Sequence, residues 1–64
     1  MSEIQPMPSV KIWAGRYLVL GTTHECIVEL AVSGRWCLDV DGEFREAFDT
    51  KREALQYCQE HPEL

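Results

Sequence analysis

Apolar and polar side chains alternate along two stretches in the middle of the chain. The alternation covers residues 25–32 and 35–40 and has the period of two that is typical of a half-buried β-strand. The side predicted to be buried comprises Cys26, Val28, Leu30, Val32, Trp36, Leu38 and Val40. Residues 10–20 are rich in β-branched and aromatic side chains, which predicts one earlier strand with a bulge or bend at Gly15.

The turns between these strands contain glycine. Asp41-Gly42 between apolar stretches is a strong hairpin signal, and Ser33-Gly34 marks the preceding turn. Residues 43–48 then predict a short last strand. At both turns we expect a three-residue loop with a left-handed glycine, because that register brings apolar side chains onto one face. The pairs brought together in this way are Leu30 with Trp36 and Leu38 with Phe44.

A helix is predicted over residues 51–61. Thr50 and Glu53 have the spacing of a capping box, in which the two side chains satisfy free N–H groups at the helix start. Pro62 ends the helix, because proline has no backbone N–H to donate. The apolar stripe of this helix comprises Ala54, Leu55, Tyr57 and Cys58.

These elements predict one small α+β domain, a three- or four-stranded antiparallel β-meander with one C-terminal α-helix packed on one face. Residues 10–64 form the domain, and residues 1–9, which contain two prolines, form a flexible N-terminal lead-in. The predicted core is Val19, Val28, Leu30, Trp36, Leu38, Phe44, Phe48, Ala54, Leu55 and Cys58. A chain of 64 residues buries only about 60% of its unfolded surface, which leaves little capacity for a buried polar active site.

The charge of the chain is acidic and locally concentrated. Six basic and eleven acidic side chains give a net charge of −5, and residues 22–49 contain seven carboxylates against Arg35 and Arg45. Nucleic-acid binding relies on Lys and Arg that displace counter-ions from phosphates, so direct binding to DNA or RNA is disfavoured. The same charge also serves solubility.

The cysteines number three, an odd count, and the first residues lack the basic start and apolar core of a signal peptide. A cytoplasmic protein with reduced thiols is therefore expected. No apolar run approaches the roughly 18 residues of a membrane-spanning helix.

Two Cys–His pairs are the sharpest candidates for metal binding. His24 with Cys26 on a strand, and Cys58 with His61 on a helix, each have a spacing that allows chelation. Neither follows the spacing of a zinc finger, and buried thiols are the favoured interpretation. We therefore predict no metal, no cofactor and no catalytic residue, and expect that the protein is not an enzyme.

The sheet face opposite the helix is the predicted contact surface. Its apolar side chains are framed by acidic ones, which is typical of a modest contact surface. The alternative is that the N-terminal lead-in folds over this face. Arg35 is predicted to pair across strands with an acid such as Glu29. The predicted partner-binding residues are Glu25, Ile27, Glu29, Cys37, Asp39 and Trp13, of which Trp13 is compatible with either face.

Residues 34–42, GRWCLDVDG, and residues 48–55, FDTKREAL, resemble a recurring pattern in small uncharacterised bacterial and phage proteins. In that pattern a tryptophan-bearing strand, a turn and a Thr-Lys-x-Glu-Ala helix start follow one another. The layout is similar to that of the arm-type DNA-binding domain of phage integrases, and it implies a phage or mobile-element accessory protein. Integrase arm domains reach DNA with basic residues on the sheet, where this chain has Glu25, Glu29 and Asp39, so no functional residue is carried over.

A non-enzymatic, small acidic protein-interaction module is the function that the sequence favours. One concrete form is an anti-CRISPR-like inhibitor whose acidic sheet face docks on a basic nucleic-acid-binding protein of the host. The alternatives are a nucleic-acid-binding domain of the integrase-arm type and a structural protein that forms a homodimer through its sheet.

Overall fold

Residues 8–64, the part of the chain that the computed structural model describes, form five antiparallel strands and one helix. The strands pair in sequence order within one open sheet. The elements are β1 (Ser9–Trp13), β2 (Arg16–Val19), β3 (Cys26–Leu30), β4 (Trp36–Val40), β5 (Glu43–Phe48) and α1 (Lys51–Glu60). The predicted α+β class, a meander with a C-terminal helix on one face, is confirmed. The predicted lead-in lies outside the described residues up to residue 7, and Ser9 already belongs to β1.

The first strand pair is a hairpin, where the sequence predicted one bent strand over residues 10–20. Gly15 has a φ of +77° and reverses the chain, so that β1 and β2 run antiparallel. Folding the segment back in this way gives the N–H and C=O groups of β1 partners in β2, which one long strand would lack. Lys11 pairs with Tyr17 and Trp13 with Arg16, which leaves Ile12 as an extra, bulged residue of β1.

The turn between β3 and β4 has the predicted register. Leu30 lies opposite Trp36, and Gly34 has a φ of +91°. The Gly34 N–H donates to the Ala31 oxygen at 2.9 Å, and the Ala31 N–H donates to the Arg35 oxygen at 2.8 Å. A three-residue loop that ends in a left-handed glycine therefore joins these strands, as expected for a bulged hairpin turn.

The turn between β4 and β5 is shorter than predicted. Val40 pairs with Glu43, so the loop has two residues, Asp41 and Gly42, whose φ angles are +53° and +86°. Two positive φ angles are what a type I′ turn requires, and this turn matches the twist of a hairpin. The predicted three-residue loop at this point is wrong.

This shorter loop changes the position of Phe44. Phe44 lies opposite Asp39, whereas the next pair is Leu38 with Glu46, so Arg45 is the bulged residue of β5. Phe44 therefore faces away from the helix and is 64% exposed, and its predicted place in the core is wrong. The bulge reverses the alternation once, which returns Phe48 to the helix side opposite Trp36.

The carboxylate of Asp41 ties this turn to the loop before β3. It accepts a hydrogen bond from the Glu25 N–H at 3.0 Å and one from Nδ1 of His24 at 2.8 Å. The Asp41 N–H donates in return to the backbone carbonyl oxygen of Glu25 at 2.8 Å. The hydrogen bond from the Glu25 backbone and then that from His24 hold the pKa of Asp41 below its ordinary value of 3.8.

Acid is expected to weaken this connection. Because the folded-state pKa of Asp41 is lowered, its stabilising contribution is present above the unfolded-state pKa and is lost as the pH falls through the folded-state value. Between neutral and strongly acid solution, the Tm of Asp41→Asn should therefore fall by less than the Tm of the native protein. Asparagine also accepts the positive φ of this position. Glu60→Gln, which removes an exposed helix carboxylate, is the control and should follow the native profile. Equal acid sensitivity of Asp41→Asn and native protein would contradict this account.

Helix α1 begins at the predicted N-cap, Thr50, but the Glu53 side chain bonds to the Thr50 hydroxyl and not to a backbone N–H as in a full capping box. The Glu53 N–H donates to Oγ1 of Thr50 at 3.2 Å, and that hydroxyl donates to Oε1 of Glu53 at 3.1 Å. At the other end, His61 is the capping residue, with its ring stacked on Tyr57 at a centroid distance of 3.9 Å. The helix thus starts where predicted and ends one residue earlier than predicted.

The core lies between α1 and the strands β3, β4 and β5. Its buried side chains are Val19, Cys26, Val28, Leu38, Ala54, Leu55, Cys58 and Leu64. Trp36, Val40, Phe48 and Tyr57 pack half-buried against this cluster. Leu30 has the predicted face but is 45% exposed, and Val32 is fully exposed, because β3 ends at Leu30. The predicted place of Leu30 in the core and the predicted burial of Val32 are therefore wrong.

Candidate functional site

The sheet face that turns away from α1 is called the outer face here. Strand pairing and the alternation of side chains define its members, since residues directly opposite each other share a face. They are Val10, Trp13, Arg16, Leu18, Ile27, Glu29, Cys37, Asp39, Phe44 and Ala47. Glu25 comes two residues before Ile27 and lies at the rim of this face. All six residues predicted to bind a partner therefore lie on the outer face or at its rim.

One row of the outer face crosses all five strands and is mainly apolar. Its members, in strand order, are Val10, Leu18, Ile27, Asp39 and Phe44. Four inter-strand spacings of about 4.8 Å give this row a length of about 19 Å. The exposed fraction is 64% at Phe44, 48% at Val10 and only 8% at Ile27. The row thus has a closed apolar centre with exposed apolar side chains at both ends.

A second row combines an aromatic ring with an ion pair. Trp13 is 63% exposed, and the Arg16 guanidinium carbon lies 5.7 Å from the centroid of its ring. Nη1 of Arg16 also contacts Oε1 of Glu29 at 3.2 Å. Since Arg16 and Glu29 lie directly opposite each other in β2 and β3, the sheet itself brings them together. The row continues through Cys37 to Ala47.

Arg35 pairs with an acid across strands, as predicted, but that acid is Asp49 and not Glu29. Arg35 contacts Asp49 at 3.4 Å and donates to the Ala47 oxygen at 3.4 Å. The sequence did not reveal that a separate strand β2 lies beside β3, and this strand supplies Arg16 as the nearer cation for Glu29. The face is accordingly less acidic than predicted, because Glu29 is neutralised in place.

Asp39 is the outer-face charge that keeps no counter-ion within residues 8–64. It lies between Ile27 and Phe44 in the apolar row and is half-buried. Its carboxylate takes part in none of the hydrogen bonds and ion pairs formed by the described side chains. In the described part of the chain, this carboxylate therefore lies between apolar neighbours without a paired charge.

Sequence reasoning missed four apolar members of this face, namely Val10, Leu18, Phe44 and Ala47. The signal for Phe44 was present, because Asp-Gly favours a two-residue hairpin loop and that loop sets Phe44 opposite Asp39. Val10 and Leu18 become neighbours only through the hairpin at Gly15. Without that hairpin, the pattern of residues 10–20 assigns them to one strand.

The side chains of the two Cys–His pairs have other contacts in the structure. Cys26 and Cys58 are both buried in the core, where burial, and then the neighbouring Cys26, raise the pKa of the Cys58 thiol to about 11. Cys58 is therefore protonated at neutral pH and is a poor nucleophile and a poor metal ligand. The His24 side chain instead bonds to the Asp41 carboxylate. Nδ1 of His61 donates to the backbone carbonyl oxygen of Tyr57 at 2.8 Å.

Within residues 8–64, no group of three or more His, Cys, Asp or Glu side chains converges in a way that would hold a metal ion. The same range contains no helix with the length and apolar content of a transmembrane span. Comparison with protein-family models, with curated proteins and with solved structures finds no match to this chain.

Proposed function

We propose that the protein is a non-enzymatic binding module that docks a protein partner on its outer face. The observation that carries the proposal is the position of Trp13 and Phe44. These are the two most exposed aromatic side chains of the described residues, at 63% and 64%, and both lie on the sheet face away from α1. Exposed aromatic side chains around a well-packed apolar centre are typical of the residues that dominate binding energy in protein interfaces.

The arrangement of the two faces supports this proposal. Helix α1 packs on β3, β4 and β5 from one side, and the apolar residues on that side pack in the core. The outer face has its own apolar row of about 19 Å, four strand spacings long. A helix of about 13 residues or a pair of strands would cover such a length. Burial of the exposed ring of Phe44 alone would contribute up to about 1.5–3 kcal/mol.

The setting that we propose is the cytoplasm, which the odd number of cysteines favours. An accessory protein of a phage or mobile element is a narrower form of the same proposal, carried by the resemblance of residues 34–42 and 48–55. In that form the partner is a basic, nucleic-acid-binding protein of the host.

Phe44→Ala tests the outer face directly. We expect this variant to keep its fold, since Phe44 is exposed, and to lose about 2 kcal/mol or more of binding energy, as anchoring aromatic residues do. Val32→Ala is the matched control, because Val32 is fully exposed in the turn between β3 and β4. Proteins captured from a lysate of the source cells by each form, compared by quantitative mass spectrometry and then measured by calorimetry, give the readout.

The outcomes separate the proposal from its alternatives. Partners lost with Phe44→Ala and kept with Val32→Ala are the expected result. Partners that bind all three forms equally would contradict the outer face as the binding site. A salt-dependent gel shift with DNA or RNA would favour the nucleic-acid-binding alternative instead. A dimer in light scattering that Phe44→Ala disperses would identify the partner as a second copy of the chain.

A further inference from the structure

The chemistry of the partner follows from Asp39. Its two direct neighbours in the apolar row are Ile27, which is 8% exposed, and Phe44, which is 64% exposed. Any protein surface that covers these two side chains also removes water from the carboxylate between them. A desolvated carboxylate without a counter-ion is strongly unfavourable. A positive charge on the partner would meet this requirement best, because charge-assisted hydrogen bonds to a carboxylate are about twice as strong as neutral ones.

The cations of the chain itself do not serve this purpose in the described structure. Arg16 is the cation of the outer face, and it is held by Glu29 at 3.2 Å and by the ring of Trp13 at 5.7 Å. Arg45 turns to the helix side, where its Nε donates to the Tyr57 hydroxyl at 3.3 Å. Within residues 8–64, Asp39 therefore has no counter-ion, and a binding partner can supply one.

A second copy of the chain fits this requirement poorly. Two outer faces packed together would bury Asp39 twice and would bring only a second Arg16, which its own Glu29 already engages. The net charge of −5 adds repulsion between copies and attraction toward a basic partner. Charge complementarity therefore favours a basic protein over self-association.

Arginine matches this site better than lysine. Its planar guanidinium can form two parallel hydrogen bonds to a carboxylate and can stack on an aromatic ring. Asp39 and Phe44 are cross-strand neighbours, so one guanidinium reaches both. We propose that the outer face recognises a basic protein segment in which an arginine, flanked by apolar side chains, pairs with Asp39. This inference rests on the proposed function and names the partner chemistry for it.

The test begins with a selection of random displayed peptides on the immobilised native protein. We expect enrichment of peptides that combine arginine with apolar neighbours. Synthetic copies of the enriched peptides are then titrated by calorimetry against native protein, Asp39→Asn, Phe44→Ala and Asp49→Asn. Asp49 has a side chain that is 80% exposed and pairs with Arg35, so Asp49→Asn makes the same chemical change away from the outer face.

The expected result is a loss of affinity of about tenfold or more for Asp39→Asn, as for a hydrogen-bonded charge pair, and no loss for Asp49→Asn. Replacement of the peptide arginine by glutamine should weaken binding to the native protein equally. The same peptide change should have little further effect on Asp39→Asn, since the pair is already broken.

The contrary outcomes are distinct. Peptides that need Phe44 but bind Asp39→Asn as well as native protein overturn the arginine inference and leave the proposed function standing. Peptides that bind Phe44→Ala as tightly as native protein contradict the proposed function itself, as does a selection without enrichment over a blank surface. A native dimer that Phe44→Ala disperses makes a second copy the occupant and overturns the basic partner.

Discussion

Leu38→Ala is expected to lower the free energy of unfolding by about 2–5 kcal/mol, the usual cost of truncating a fully buried leucine. Leu38 has no exposed surface and lies in the middle of β4, between Val28 of β3 and Glu46 of β5. Small domains have stabilities near the lower end of about 5–15 kcal/mol, so this variant should be largely unfolded at elevated temperature. Urea denaturation followed by tryptophan fluorescence, to which Trp36 contributes from its place against the core, measures the change.

Leu20→Ala is the matched control for Leu38→Ala. It removes the same atoms from a side chain that is 42% exposed, and the backbone hydrogen bond from Leu20 to Pro8 is kept. Its unfolding free energy should stay within about 0.5 kcal/mol of the native value. If the two variants lost equal stability with an unchanged denaturant slope, Leu38 would not be the centre of the core.

Ala54→Leu is expected to destabilise the protein by about 1–3 kcal/mol, because added volume in a packed core forces strain on its neighbours. Ala54 has no exposed surface and lies in the first turn of α1, where the helix packs on the sheet. A larger side chain at this point pushes the helix away from its strands. Thermal denaturation followed by circular dichroism should show a fall in Tm of about 4–8 °C for each kcal/mol lost in a domain of this size.

Gln59→Leu provides the comparison for Ala54→Leu. Gln59 is an exposed residue of the same helix, and leucine is as good a helix former as glutamine. The native Tm should therefore be kept in this variant. A native-like Tm for Ala54→Leu would mean that the helix does not pack closely on the sheet at its first turn.

Local signals were enough to predict the start of the helix and the turn between β3 and β4. Hydrogen bonds between Thr50 and Glu53 fix the helix start. They join residues only three apart, so they do not depend on distant parts of the chain. The register of Leu30 against Trp36 followed equally from a short loop and a left-handed Gly34. In both cases the partners are close in sequence, so the pattern contains the whole interaction.

The hairpin at Gly15 could not be distinguished from a bulge by such local signals. A bulge and a tight reversal both favour glycine, and the strand-forming residues on either side are alike. The difference depends on which strand pairs with β3, and that pairing joins Arg16 to Glu29, thirteen residues apart. Information of this range is absent from the local pattern.

The candidate site was predicted in its β3 and β4 residues and, apart from Trp13, missed in the outer strands. Ile27, Glu29, Cys37 and Asp39 follow from alternation alone, which is regular in these two strands. Phe44 was assigned to the core because a three-residue loop increased the apolar content of that face. The intrinsic preference of Asp-Gly for a two-residue loop prevailed, and the extra residue appeared further along, at Arg45.

The two bulged residues, Ile12 in β1 and Arg45 in β5, lie in the two outermost strands of the described sheet. An outermost strand with a regular backbone offers a row of free N–H and C=O groups on which strands of other chains can align and aggregate. Each bulge interrupts that row, and the charged side chains of Lys11 and Arg45 resist desolvation there. Growth of the sheet from chain to chain is thereby discouraged at both borders.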